Sequence, residues 1–159
     1  MTKQETYDYL TAHGVVYEVT EHAAVFSMAE VSDVPLPYPE ADAKNLFVRD
    51  DRKEVYCMIT VQGDKRVDLK AFRKRHGLRS LTFVSAQELL SILHLIPGAV
   101  TPLGLLNDTE RRVTLYLDAA FGERIGVHPN DNTATVWMRT ADLIRLVKEH
   151  GNRVCITDI

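Results

Sequence analysis

Pro97-Gly98-Ala99-Val100-Thr101-Pro102-Leu103-Gly104-Leu105-Leu106-Asn107-Asp108 is an apolar run punctuated by glycine and proline, set between a segment of helical periodicity and one of strand periodicity. Gly98 and Gly104 permit positive φ and close backbone approach, while Pro97 and Pro102 fix φ and stiffen the path between them. A connection this apolar is disfavoured against open water. It is therefore expected to form the wall of a pocket rather than a hinge.

Upstream of this run, Ser85-x-x-Glu88 reads as a capping box opening a helix whose Leu89, Leu90 and Leu93 face inward. Downstream, Val113, Leu115 and Leu117 alternate with Thr114 and Tyr116, the period of a half-buried strand, and residues 133–138 continue the sheet. Thr140 is expected to cap a last helix that Gly151 ends, with residues 153–156 as a closing strand. Towards the N-terminus, Thr2-x-x-Glu5 opens a helix that Gly14 ends, a strand is expected over 15–19, and Ser27-x-x-Glu30 forms another capping box. Pro35, Pro37 and Pro39 exclude regular helix or central strand, so 33–41 should be an exposed, extended loop near the pocket mouth. Residues 45–49 and 55–61 flank Asp50-Asp51-Arg52-Lys53 as a hairpin, which puts Lys44 at a strand entry. Asp68 caps a basic helix that Gly77 terminates. The order of elements predicts a single α/β domain over residues 1–159, with a mixed sheet and helices outside it.

At 159 residues and 45% hydrophobic, the chain can bury one sizeable core without staples. It shows neither a leader pattern nor an apolar run of membrane-spanning length, which leaves a cytoplasmic address and no membrane partner as the expectation. Cys57 and Cys155 lie in apolar, strand-like runs without CxxC spacing and read as buried free thiols. No Cys, His and carboxylate cluster has metal-ligand spacing, so neither a metal nor another cofactor is expected. Net charge is −3, unevenly distributed: residues 1–43 carry one Lys or Arg against eight acids, whereas 44–79 carry eleven against five. Such a basic middle third can attract phosphate even in an acidic protein, and Arg49, Lys65, Arg66, Arg73, Lys74 and Arg75 are its candidate RNA contacts. Read alone, without any family resemblance, the same cations are better read as a solvated helix face.

The apolar run, with Lys44-Asn45-Leu46 before it and His128-Pro129-Asn130 followed by Asn132-Thr133-Ala134-Thr135 after it, resembles the prolyl-tRNA synthetase editing-domain family, the YbaK-like aminoacyl-tRNA deacylases. The resemblance begins at Glu21-His22 and Val25-Phe26 and covers nearly the whole chain, and the His-Pro turn is most similar to the free-standing branch that hydrolyses Ala-tRNA(Pro). It implies a curved, barrel-like sheet, tRNA(Pro) charged with alanine as substrate, and prolyl-tRNA synthetase as a possible partner. Asp131 departs from the pattern, where an uncharged residue is expected. Two other readings share these residues: a deacylase for another small amino acid such as Cys or Ser, and a non-catalytic tRNA- or synthetase-binding module. The retained Lys44 and the uninterrupted loop weigh against the latter.

Ester hydrolysis needs a positioned water and donors for the developing oxyanion. It needs no strong nucleophile, and none of Ser27, Ser32, Ser80, Ser85 and Ser91 has nucleophile-elbow context. Lys44 alone would be a solvated charge at a strand start; the resemblance makes it the essential lysine, holding phosphate or ribose of the terminal adenosine. The resemblance likewise selects Gly98 as oxyanion donor. His128, held extended by Pro129, could relay a proton or orient water, or could merely bond nearby backbone. Asn45 and Asn130 are candidates for holding substrate or for fixing local backbone. His22, Val25, Phe26, Leu46, Ile59 and Pro102 complete the candidate pocket. His13, His76, His94 and His150 are expected at helix ends.

Overall fold

The computed structural model describes residues 1–24 and 35–159. Helix α1 (Lys3–Ala12) opens with the expected capping box: Thr2 Oγ1 accepts from the Glu5 amide, and the Glu5 carboxylate accepts from the Thr2 amide. Strand β1 (Tyr17–Glu21) starts two residues later than expected, because the Val15 amide still donates to the Leu10 carbonyl at 3.0 Å as part of the helix end. The Ser27-x-x-Glu30 box, Val25 and Phe26, and positions 33 and 34 of the proline-rich loop lie outside the described residues. The rest of that loop is not extended throughout. Pro39–Ala41 closes a 3-10 turn and buries Ala41, since proline at the first helical position has its φ preset and no amide to satisfy.

Strands β2 (Ala43–Asp50) and β3 (Tyr56–Gln62) form the expected antiparallel hairpin. Asp50 closes its turn by accepting from the Glu54 and Val55 amides at 2.8 and 3.2 Å. Helix α2 (Leu69–Arg75) is capped by Asp68, which accepts from the Ala71 amide, and Gly77 leaves it at φ +65°. Strand β4 (Leu81–Phe83) leads to helix α3 (Ala86–Leu93) behind its Ser85 cap. The inward face of α3 is Leu89, Ile92 and Leu93; Leu90, expected inward, is 57% exposed because it falls off the i, i+3, i+4 stripe. Strands β5 (Val113–Asp118), β6 (Arg124–Val127) and β7 (Ala134–Arg139), helix α4 (Thr140–His150) and strand β8 (Val154–Thr157) complete the chain. Thr140 does not cap α4. Strand β7 runs straight into the helix with Arg139 at the cap, and the Thr140 hydroxyl is taken by the Gly122 carbonyl at 2.8 Å.

Among the described residues two sheets result, one of five strands in the order β4-β2-β3-β5-β8 and one of three in the order β1-β7-β6. The β3–β5 and β5–β8 pairs are parallel and the others antiparallel, so the mixed α/β architecture is as expected. The sheet is not closed into a barrel. Strand β4 pairs only with Val48, Arg49 and Asp50 at the end of β2, and the three-stranded sheet meets the start of β2 through an Asp42–Gly126 bridge. The main core draws on both sheets, α1, α3 and α4; a second core of Val48, Cys57, Ile59, Val61 and Phe72 lies between the five-stranded sheet and α2. Cys57 is buried, its thiol pushed up to about 12 by desolvation, whereas Cys155 is only half-buried on strand β8 at the sheet edge. No helix among the described residues is long and apolar enough to cross a membrane.

Gly126 shows how tightly the small sheet is built. A Cβ there would come within 2.2 Å of Trp137 Cζ3 on the neighbouring strand, and that indole is anchored by its Nε1–H donating to Thr20 Oγ1 at 2.8 Å. Gly126→Val is accordingly expected to destabilise the protein by about 1–3 kcal/mol through overpacking. Chemical denaturation measures this directly, and an unchanged unfolding midpoint would contradict the packing described.

Candidate active site

The quoted run is not an open loop. Thr101–Asp108 is buried throughout and Pro102–Asn107 forms a 3-10 turn, so Pro102 sits inside the core layer at the first position of that turn. Only residues 97–100 remain as connection, and there Gly98 adopts φ +92°, a conformation that an L side chain rarely tolerates. The turn is tied at both ends. Thr101 Oγ1 donates to the His128 carbonyl at 2.7 Å, and Asn107 Nδ2 donates to the Leu93 carbonyl at 2.9 Å. Gly104 allows Leu95 to pack on the turn, since a Cβ there would lie 2.6 Å from Leu95 Cδ1.

Among the described residues, two elements meet residues 98–101, β2 and the end of β6, and His22 joins them only against the His128 ring. From β2, Asn45 reaches the Val100 carbonyl through Nδ2 at 3.4 Å, with its amide oriented by fully buried Thr60, whose hydroxyl donates to Oδ1 at 2.7 Å. From the end of β6 comes His128. Its Nδ1 lies 2.9 Å from the Ala134 carbonyl, an acceptor only, so Nδ1 carries the proton and Nε2 the lone pair. Following β1 comes His22, with Nδ1 2.9 Å from the Ala23 carbonyl and Nε2 3.1 Å from Thr135 Oγ1. The two imidazoles meet edge to face, centroids 6.1 Å apart. Burial holds His128 below the ordinary histidine range, the bond to Ala134 opposes this, and the neighbouring His22 adds to the lowering.

Other expected residues are placed differently. Strand alternation puts Lys44 opposite Val61, on the second-core face of β2, whereas Asn45 points to the Val100 side. The Lys44 ammonium donates to the Lys65 carbonyl in the turn after β3. Leu46 and Ile59 share that second-core face, and Ile59, 0% exposed, is core beneath α2. Asn130 at φ +61° shapes its turn and spends its amide on Thr6 Oγ1 at 2.8 Å and on Asn107. Asp131, the departure in the motif, caps the same turn: its carboxylate accepts from the Thr133 hydroxyl and amide, which holds it below the usual carboxylate range against the opposing effect of burial.

Among the basic residues, Arg49 is engaged by Glu88 and Lys65 by Asp118, the latter at 2.5 Å to a carboxylate 1% exposed. Arg75 donates to the Asp158 carbonyl, while Arg66 and Lys74 are exposed and Arg73 is half-buried. The cations of α2 therefore stand on the side of the five-stranded sheet away from His128. His13, His76 and His94 cap helix C-termini and His150 ends α4, as expected. Thr60, Thr101 and Thr135 were not legible as site residues. Only the pairing of Asn45 with Thr60 across a hairpin of known register could have pointed to one of them.

Residues 22–146 match the family model described as the aminoacyl-tRNA editing domain. The prolyl-tRNA editing protein ProX of Acetoanaerobium sticklandii is 35% identical over 138 residues, covering 86% of this chain and 84% of that protein. The prolyl-tRNA synthetase associated domain-containing protein 1 of Bos taurus is 33% identical over 149 residues, covering 90% and 86% respectively. A solved structure of a candidate trans-editing enzyme for prolyl-tRNA synthetase superposes with a TM-score of 0.72 at 17% identity, over 98% of this chain and 96% of that one. At that identity it speaks for the fold.

The depressed His128 has a consequence for stability. A histidine whose folded value lies below its unfolded value, ordinarily about 6.5, takes up its proton more readily when unfolded, so stability is lost as pH falls through that range. Wild-type protein is expected to lose more melting temperature between pH 7.5 and pH 5.5 than His128→Asn does. Equal losses would show that the buried imidazole is not held neutral.

Proposed function

We propose, from the premise that this chain belongs to the aminoacyl-tRNA editing domain family, that it is a free-standing deacylase that clears mischarged tRNA(Pro), with alanine as the amino acid removed. The observation that carries the reading is that the segment Gly98–Thr101 is tied on one side to Asn45 through the Val100 carbonyl and on the other to the His128 backbone through Thr101, with Gly98 at positive φ between Pro97 and Ala99. The Gly98 amide has no protein acceptor among the described residues and is the donor for the ester carbonyl oxygen as negative charge develops there. His128 presents the Nε2 lone pair to the attacking water. Water adds to the carbonyl carbon, the bond to the ribose oxygen breaks, and that oxygen leaves with a proton, giving free alanine and tRNA. Asn45 and Thr60 hold the segment at the required distance from β2.

The family resemblance assigns Lys44 to the terminal phosphate or ribose, which it would reach from the start of β2, its side chain leaving the strand on the face away from Val100. Its resting acceptor is a neutral carbonyl, a weaker partner for an ammonium than a phosphate oxygen, so the exchange is favourable when RNA arrives. The exposed cations of α2 and Arg66 meet more distant phosphates. Chemical need supports the alanine assignment, because a proline pocket discriminates against a smaller side chain by only ~1–3 kcal/mol per missing methylene and a second sieve must remove the product.

Deacylation of tRNA(Pro) charged separately with Ala, Cys, Ser or Pro tests the proposal. Rapid loss of the alanyl ester with the prolyl ester spared is expected; preference for Cys or Ser reassigns the amino acid, and stability of all four esters at micromolar protein refutes hydrolysis. Lys44→Ala is expected to remove most activity with little change in melting temperature, and near-normal turnover would exclude the anchor role. Changing Arg73, Lys74 and Arg75 together to Glu should weaken tRNA binding and flatten its dependence on salt. Unchanged affinity and slope would leave those three as a solvated face only.

A further inference from the structure

Two consecutive residues of one strand control the two imidazoles of the site. At the start of β7 the Ala134 carbonyl accepts from His128 Nδ1, and the next side chain, Thr135, 3% exposed, meets His22 Nε2 at 3.1 Å. The partners are chemically unlike. Ala23 and Ala134 offer carbonyl oxygens, which only accept, so Nδ1 is the protonated nitrogen in both rings. In the neutral His22 ring Nε2 must then accept, and the only proton available at that contact is the hydroxyl hydrogen of Thr135. His128 has no such donor on its Nε2 among the described residues.

We propose that Thr135 is a positioning residue: its hydroxyl donates to His22 Nε2 and occupies the lone pair of the Nδ1–H tautomer that the Ala23 carbonyl sets, so that His128 alone of the pair presents a basic nitrogen to the site. This deepens the deacylase reading and rests on it for the reaction, although the tautomer assignment stands on the contacts alone. The arrangement answers a problem that two close histidines create. A proton shared ambiguously between rings 6.1 Å apart would leave the site in a mixture of states, of which only some can activate water. With the His22 lone pair engaged, one microstate dominates. Among the described residues, the charged groups near the pair are Asp131, which acts on His128 and is tied to Thr133, and Lys3, which is paired with Glu21 and also donates to Thr133. Neither Asp131 nor Lys3 has a hydrogen bond to either imidazole.

The test compares wild type, Thr135→Val, which keeps the shape and removes the hydroxyl, and Thr135→Ser, which restores it. Long-range 1H–15N spectra of the histidine rings report which nitrogen is protonated, and need no substrate. Expected are Nδ1–H tautomers for both rings in wild type, a His22 Nε2 resonance shifted towards a free lone pair in Thr135→Val with His128 unchanged, and recovery in Thr135→Ser. In deacylation of Ala-tRNA(Pro), Thr135→Val should lose on the order of tenfold in kcat with KM little altered, and Thr135→Ser should return most of it. A His22 Nε2–H tautomer in wild type, or a His22 spectrum indifferent to Thr135→Val, overturns the proposal. So does a His22 with its Nε2 freed and kcat undiminished, which would deny the hydroxyl a part in the reaction. If wild type itself leaves every ester intact, the deacylase reading fails, and the ring spectra still decide whether Thr135 engages His22.

Discussion

The hydrogen bond from Thr101 Oγ1 to the His128 carbonyl is the constraint on which the rest of this site depends. Thr101 is fully buried, so its hydroxyl cannot exchange this bond for water. It joins the apolar segment after α3 to the end of β6, two parts of the chain separated by 27 residues. Everything else in the site is referenced to one side of that link. Asn45 and Thr60 position Val100 from the hairpin, while Ala134 and Thr135 position the imidazoles from the opposite strand. A buried polar link of this type contributes little net stability while made, but leaving either group unsatisfied costs about 1–3 kcal/mol.

Polar links of this kind are affordable because the surroundings are so apolar. Leu103 and Leu105 of the 3-10 turn are 0% exposed, as are Leu93 on α3 and Leu143 on α4. Full burial of such side chains contributes roughly 1.5–3 kcal/mol each. The same low-dielectric setting holds His128 below the ordinary histidine range. It also acts on Asp42, at the bridge between the sheets, whose carboxyl burial pushes up to about 6. Packing and electrostatics at this junction are thus one arrangement, in which the core that holds the segments together sets the protonation of the groups between them.

Local signals were read well wherever the physics was local. Thr2, Asp68 and Ser85 cap helices, Gly14, Gly77 and Gly151 end them in the left-handed region, and the Asp50 turn closes the hairpin, all through contacts spanning a few residues. Deviations occur where a distant group claimed a local one. Thr140 lost its capping role to the Gly122 carbonyl, and Leu90 was left outside a stripe whose direction is set by the core. Arg49 and Lys65, cations in the sequence, are neutralised by Glu88 and by buried Asp118, carboxylates 39 and 53 residues away.

The site divides along the same line. Composition, capping, periodicity and the ordered Lys-Asn, glycine-proline and His-Pro-Asn segments sufficed for the α/β class, the element order and the family, since each depends on residue type and spacing alone. Which face of β2 looks towards Val100 depended on register, and a shift of one residue would have exchanged Lys44 for Asn45. The tautomers of His22 and His128 depended on which carbonyl or hydroxyl the folded chain brought to each nitrogen, from positions as far as 113 residues apart. Directions of side chains and ownership of protons are properties of contacts between remote segments, and only the folded backbone creates those contacts.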